Sequence, residues 1–535
     1  MAWRRKIRIR QSLRIIGTMR LATACVLLSA AIPSAAQGPV PKFAGPDRRA
    51  KLAAAFPEIE RIFEQYQKER RIPGLVFGVV IDGELALVKT YGLRDRDSKD
   101  PVTADTAFRI ASMTKSFTAL AILKLRDEGK LSLEDPVSKY IPELARWKYP
   151  TADTVPLRVR QLLTHGAGFP EDNPWGDQQL GESEAAMTNW IAKGLPFSTA
   201  PDTEYEYSNY GFAMLGRIVA AASGRPYREY LESEILKPLG MTNSSLEPSA
   251  LPGSSRAVGY RLTGDVYSVE PSLAHGAFGA MGGLVTTAND MAKYVAFQLS
   301  AWPPRDDSEA GPVKRSSVRE MQHPWRPSSF SAGRGPDGNY RASSGAYGYG
   351  LAVSRDCRFD RIIGHGGGLP GFGSYMMWLP EEGVGLFAMA NLTYQGPRVP
   401  QDQALDALRK TGALKRRELP PAPVLNSTAD TLTAIFRKWD DGALRKIAAG
   451  NLLEDQPIAT RRKEAEELRK QVGSCSGREA VKAENWLRGQ FRINCDKGAV
   501  EASFTLAPTM PPTVQFLRFS QPKNTPDTTP GRCSF

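Results

Sequence analysis

Metal ligands and reactive thiols are scarce in this chain. Its 535 residues hold four histidines and five cysteines. His165, His275, His323 and His365 are scattered, and no HExxH or CxxC pairing exists. Zinc chemistry therefore has no ligand set, and no metal or other cofactor is expected. A Gly-x-Ser-x-Gly elbow is also missing, so an α/β-hydrolase reading has no nucleophile. Past residue 36 no apolar run is long enough to span a bilayer. Nor is there a dense Lys/Arg block interleaved with aromatics. Seven of the cations behind the net charge of +13 sit in residues 1–36, leaving +6 over the rest, so nucleic acid is not an expected partner.

Those first residues read as a secretory signal. Arg4, Arg5, Lys6, Arg8, Arg10, Arg14 and Arg20 precede an apolar run from Leu21 to Ile32 and a small-residue cleavage site ending at Ala36. The expected location is periplasmic or secreted. Met19 could serve as the start, and an uncleaved leader would be an N-terminal anchor. Export permits disulfides. Cys357, Cys475, Cys495 and Cys533 allow three full pairings. Cys475–Cys495 is favoured because both lie in one small C-terminal region.

Hydrophobic patterning divides the remainder. Residues 37–412 read as one mixed helix-and-strand domain. A helix is expected over Glu58–Arg70, then a hairpin of Leu75–Ile81 and Leu85–Lys89 around Asp82-Gly83. Helical patterns follow after Ser112 and near Arg158–Thr164, Tyr210–Ala222 and Tyr227–Ile235. Strands return at Tyr375–Leu379 and Val384–Ala390. Strands at both ends with helices between predict an antiparallel sheet built from both termini plus a helical region. Ala301–Tyr349 reads as long surface loops around one short helix. A charged, proline-rich linker is placed at 413–427. Residues 428–523 read as a small α+β accessory domain with helices at Thr428–Ile447 and Ala459–Val472. Its strands are expected at Asn485–Cys495, Ala499–Leu506 and Val514–Phe519, and 524–535 is a loose tail.

Ser112-Met113-Thr114-Lys115 opens the helical pattern after Ser112. Serine and lysine three residues apart on a helix share one face, and a partly desolvated lysine can deprotonate a serine hydroxyl for attack on a carbonyl. Alone the pattern is weak. It is expected on the order of once or twice by chance in a chain this long, and Ser520–Lys523 also fits it. Its weight comes from two other places. Tyr207-Ser208-Asn209 opens the next helical pattern, where a phenol surrounded by cations could give and take a proton. Gly364-His365-Gly366-Gly367-Gly368 precedes the late strands, and so many glycines let a backbone approach closely, as an oxyanion hole requires. His165, at a helix end with a glycine stop, reads as structural.

Ser-x-x-Lys, Tyr-x-Asn and His-Gly-Gly in this order resemble the serine β-lactamase/penicillin-binding superfamily, over about Phe43 to Leu408. The nearest branch is the class C β-lactamase-like group, with its D-stereospecific peptidases and family VIII esterases. The resemblance implies an α+β fold and a serine hydrolase. Ser112 would be the acylated nucleophile, Lys115 would hold or accept its proton, and Tyr207 would shuttle that proton. Asn209 would position Lys115 and the substrate, with His365, Gly366 and Gly367 also lining the substrate edge. The backbone N–H groups of Ser112 and Gly368 would form the oxyanion hole. His365 stands where many relatives carry a lysine. Imidazole is mostly neutral at pH 7, so carboxylated β-lactams lose a fixed cation, and an ester or D-amino-acid-type amide is favoured. The partner expected is thus a small-molecule or peptide acyl substrate. The alternatives are a β-lactamase or an idle protein recognising cell-wall peptide. Pro201-Asp202 departs from the family's Pro-Gly, for which a local loop effect is expected.

Overall fold

The structure, a computed structural model, describes residues 38–334, 338 and 340–522. The leader and the tail after Pro522 lie outside them. Thirteen strands belong to the larger part of the chain. They are β1 (Gly74–Ile81), β2 (Glu84–Asp95), β3 (Asp100–Pro101), β4 (Phe108–Arg109), β5 (Tyr260–Thr263), β6 (Val266–Val269) and β7 (Val285–Thr286), then β8 (Arg326–Arg334), β9 (Tyr340–Tyr347), β10 (Ala352–Asp356), β11 (Ile362–Leu369), β12 (Phe372–Leu379) and β13 (Val384–Ala390). Nine form one sheet in the order β3-β2-β1-β13-β12-β11-β10-β9-β8. Strands from the two ends of this part, β1 and β13, pair side by side inside it, with Phe77 opposite Ala388.

Every residue of β1 and β13 is buried, because each face of the sheet is covered. Alternation along a strand sends successive side chains to opposite faces. Val76 and Val80 thus join one core with Phe387, Met389 and Trp378. Leu75, Phe77, Val79 and Ile81 join another with Leu386 and Ala388. The second core is closed by the helices Phe56–Glu69 and Arg398–Lys410, where Phe63 stacks on Phe77 at 4.0 Å. The first is closed by Ala288–Ser300 and by Thr114–Asp127, the helix that follows Ser112.

Three expectations change. Ala301–Tyr349 holds the short helix Arg315–Met321 but ends in the β8–β9 hairpin rather than loops. Both strands are largely exposed at the sheet edge, so no polar–apolar alternation marked them. The stretch expected as one helix over Thr428–Ile447 is two, Pro423–Arg437 and Asp441–Ile447. Asp440 accepts from Ala443 N at 3.0 Å and starts a new helix as its N-cap. The strand expected over Asn485–Cys495 is likewise two, in a five-stranded sheet of β14 (Cys475–Arg478), β15 (Lys482–Asn485), β16 (Arg488–Cys495), β17 (Gly498–Leu506) and β18 (Val514–Ser520). This sheet and its helices enclose a separate core around Leu432, Phe436, Ile493 and Phe504. Cys475 and Cys495 are joined by a disulfide. Between the two parts, Arg416 pairs with Asp360 and Glu382, and Arg417 Nη1 donates to the Pro380 carbonyl at 2.6 Å. Among the described residues no helix is long and apolar enough to cross a membrane, and no cluster of His, Cys, Asp or Glu could hold a metal ion.

Candidate active site

Ser112 sits in a single 3-10 turn, Ala111–Met113, that feeds the buried helix Thr114–Asp127. Ala111 has a φ of +49°, a left-handed conformation that costs a non-glycine residue on the order of 1–3 kcal/mol. The surroundings hold it there. β4 pairs with β7 just before the turn, Ile110 N donates to the Leu284 carbonyl at 3.0 Å, and Ser374 Oγ donates to the Ile110 carbonyl at 2.8 Å.

Lys115 is fully buried. Its Nζ lies 3.0 Å from Ser112 Oγ, 2.7 Å from Asn209 Oδ1 and 2.9 Å from the Met281 carbonyl oxygen. Burial pulls the ammonium down from 10.5 to about 7, against the opposing pull of Asp177 and Asp172. The three neighbours are not equivalent. Asn209 Oδ1 and the Met281 carbonyl can only accept, whereas a serine hydroxyl can also donate. A neutral amine therefore donates to the first two and turns its lone pair to the Ser112 proton.

Asn209 opens the helix Asn209–Ser223. Its N–H and that of Tyr210 donate to the two Asp172 carboxylate oxygens at 2.7 and 2.8 Å, a favourable charge at a helix N-terminus. Ser208 Oγ caps the same turn by accepting from Gly211 N at 3.2 Å. Asn209 Nδ2 donates to Asn173 Oδ1 at 2.5 Å, which fixes the amide so that its oxygen faces Lys115.

Tyr207 differs from expectation in its electrostatics. The cation on its ring is Lys115, 4.8 Å from the centroid, and burial dominates, holding the phenol well above its ordinary value. Its resting form is protonated, although the neighbouring Ser112 hydroxyl pulls in the opposite direction. His165, read from sequence as structural, packs at the edge of this site. Its ring centroid is 4.3 Å from that of Tyr207 and 4.4 Å from that of Tyr347, and its Nδ1 accepts from Ser208 N at 3.1 Å. Asp202 takes a φ of +72° and donates its N–H to the Gly166 carbonyl at 2.8 Å, so the expected loop effect is an aspartate in a backbone region that favours glycine.

His365 lies on β11 and is 6% exposed. Its Nδ1 is 2.6 Å from the Gly366 carbonyl oxygen, an acceptor, so that nitrogen carries the proton, and Nε2 accepts from Tyr347 O–H at 2.8 Å. Burial and the Lys115 charge push its pKa down to about 3. His365 is a neutral, doubly committed imidazole rather than a free substrate donor. The glycines beside it let β11 meet the Ser112 turn. A Cβ on Gly367 would stand 2.1 Å from the Ile110 carbonyl oxygen and 2.3 Å from Ser374 Oγ, and one on Gly368 would stand 2.7 Å from Tyr394 Cδ1. Gly366 is looser, with Tyr375 Cδ2 at 3.2 Å. The structure thus joins Ser112, Lys115 and Asn209 by direct hydrogen bonds, sets Tyr207 and β11 beside them, and keeps His365 behind Tyr347. Tyr347, Ser374, Asp172 and the Met281 carbonyl were not singled out from sequence. Nothing local marks them, since their roles come from elements packed together across the fold.

A model of the Beta-lactamase family matches residues 59–411. Among curated proteins, the chain is 29% identical to Protein flp of Staphylococcus aureus (strain NCTC 8325 / PS 47) over 337 residues, 63% of this chain and 63% of that protein. It is 33% identical to Beta-lactamase-like protein 2 of Dictyostelium discoideum over 263 residues, 48% of each. The match therefore spans less than two thirds of these relatives' own length. The structure of the octameric penicillin-binding protein homologue from Pyrococcus abyssi superposes with a TM-score of 0.55 at 22% identity, covering 87% of this chain and 95% of that one. A class C beta-lactamase superposes with a TM-score of 0.53 at 20% identity, covering 69% and 98%. These two likenesses are of fold. The family match runs from the helix before β1 to the one after β13 and takes in the Ser112 turn, the Asn209 helix and β11, and on that ground the chain belongs to the beta-lactamase family.

Proposed function

We propose that the protein is an exported serine hydrolase that opens an ester or amide through an acyl-enzyme on Ser112. The observation that carries this reading is Lys115, buried, with a pKa near 7 and its one free lone-pair direction at Ser112 Oγ, 3.0 Å away. The neutral amine takes the Ser112 proton as Oγ attacks the carbonyl carbon. The developing oxyanion is held by the N–H groups of Ser112 and Gly368, on the two backbones that meet at Gly367. Tyr207, protonated at rest, gives its proton to the leaving group and recovers one from Lys115. The reverse relay activates the water that frees the acyl group. Asn209 keeps Lys115 in register throughout. With His365 neutral, a carboxylate on the substrate finds no fixed cation there, which favours esters and neutral or D-aminoacyl amides over β-lactams. Export rests on the basic, then apolar, first 36 residues.

The test is intact-protein mass spectrometry after exposure to a fluorophosphonate and, separately, to benzylpenicillin. A single adduct on Ser112 that disappears in Ser112→Ala is expected with the fluorophosphonate. No adduct with either reagent would overturn the hydrolase reading. A panel of p-nitrophenyl esters, D-aminoacyl amides and a chromogenic cephalosporin then ranks the substrates, with the cephalosporin expected last.

A further inference from the structure

Three residues before Ser112, Arg109 lines a second cavity of about 430 Å³. Arg256, Ser272, Glu270, Val269 and Phe372 also line it, while Ser112, Lys115, Tyr207, Asn209 and His365 do not. The volume falls in the range of small-ligand sites, and the charges in it are unusual. Arg109 is only 6% exposed. Its guanidinium donates to Ser272 Oγ at 3.2 Å and to the Leu273 carbonyl, but it has no carboxylate partner among the described residues. Arg256 has none either. Its guanidinium makes no hydrogen bond there, and its Nε is buried without an acceptor.

Burial pulls Arg109 down to about 10, with the Glu247 charge opposing and the Arg256 charge adding to the fall. Like charges disfavour one another, and the Arg256 Nε, buried without an acceptor on a half-buried side chain, adds to the cost. The nearby carboxylates are already engaged. Glu270 accepts from Arg261 and from Thr393 Oγ1 at 3.1 Å. Glu247, which also faces Arg109, accepts from Ser249 N and Oγ at 3.2 and 2.8 Å and sits 3.9 Å from Arg228. Arg109 and Arg256 are thus the two guanidinium groups on the lining without an ion-pair partner of their own among the described residues. The remaining wall is mostly apolar and includes Pro248, Val258 and Val285.

We propose that this cavity binds a small monocarboxylate with an apolar body, its carboxylate held by Arg109 and Arg256 and its body lying against Val258, Val285 and Phe372. Planar guanidinium forks match a carboxylate well, and the apolar remainder of the wall suits an organic acid better than inorganic phosphate. The site reaches the reacting groups only through the chain, since Arg109 leads into the Ser112 turn and Phe372 pairs with Leu369 beside Gly368.

Isothermal titration of the full chain with 4-phenylbutyrate, with its neutral primary amide and with inorganic phosphate tests this. Saturable binding of the acid at one site per chain is expected, with the amide and phosphate weaker by about tenfold or more. Arg256→Gln should weaken the acid by about the same factor. Val269→Trp, at a lining residue that is 56% exposed, should block the cavity with both arginines intact, and it decides the question if Arg256→Gln does not fold. Fluorophosphonate labelling of Ser112 checks that each variant is native. The proposal is overturned by no saturable binding, equal affinity for acid and amide, preference for phosphate, or binding that survives both variants. Binding that is lost only when Ser112 has been labelled beforehand also overturns it, because it places the acid in the reaction site.

Discussion

The rate at which Ser112 is acylated should follow the ionisation of Lys115. Burial holds that ammonium at about 7 instead of 10.5, a bias of about 5 kcal/mol against the charged form at about 1.4 kcal/mol per pH unit. Only the neutral amine can take the serine proton. About 1% of it is neutral at pH 5, half at pH 7 and about 90% at pH 8. The second-order rate constant for fluorophosphonate labelling should therefore rise close to tenfold per unit below pH 6, bend near 7 and level off by pH 8 to 9. A lysine left at its ordinary value would give a rise of about 1000-fold between pH 5 and 8 with no plateau. Asn209→Asp sharpens the test. It places a carboxylate where Asn209 Oδ1 now lies 2.7 Å from Nζ, and an opposite charge so near stabilises the ammonium by about one to three pH units. The bend should move to pH 8 or above, with little loss of the limiting rate. A flat profile from pH 5 to 9, or a bend that stays in place in Asn209→Asp, would refute the assignment of Lys115 as the base.

Tyr207→Phe should still accept the fluorophosphonate but turn over a p-nitrophenyl ester about 10²–10⁴-fold more slowly, measured by steady-state hydrolysis. Gly367→Ala and Gly366→Ala should separate sharply. The first drives a methyl to 2.1 Å from the Ile110 carbonyl, prising β11 from the Ser112 turn, and should lower stability by about 1–3 kcal/mol and abolish labelling. The second meets only the edge of the Tyr375 ring at 3.2 Å and should keep most activity, with thermal melts and labelling as the readouts. Cys475→Ser opens a bridge across a separation of 20 residues and should cost about 3 kcal/mol by chemical denaturation, with Ser112 labelling unchanged below the transition.

Local pattern carried far in this chain wherever one residue type has one physical use. The Asp82-Gly83 hairpin and the strands β12 and β13 were legible because burial and turn chemistry agree along the sequence. The β8–β9 hairpin was not, because an exposed edge pair leaves no alternation to read. Nor was the break at Asp440, where a single capping side chain overrides a continuous helical pattern. The same division runs through the site. Ser112, Lys115, Tyr207, Asn209 and the glycines of β11 stood out as motifs, whereas Tyr347, Ser374, Asp172 and the Met281 carbonyl act only by virtue of what is packed against them.

The sequence by itself picked out Ser112, Lys115 and the order of the elements that carry them, since these depend on residue type and on spacing along one helix. Only the tertiary structure decided the protonation states. Burial from distant elements lowers the Lys115 ammonium to about 7, keeps Tyr207 protonated and makes His365 a neutral imidazole held by Tyr347. Desolvation depends on what the rest of the chain places around a group, and no run of neighbouring letters contains it.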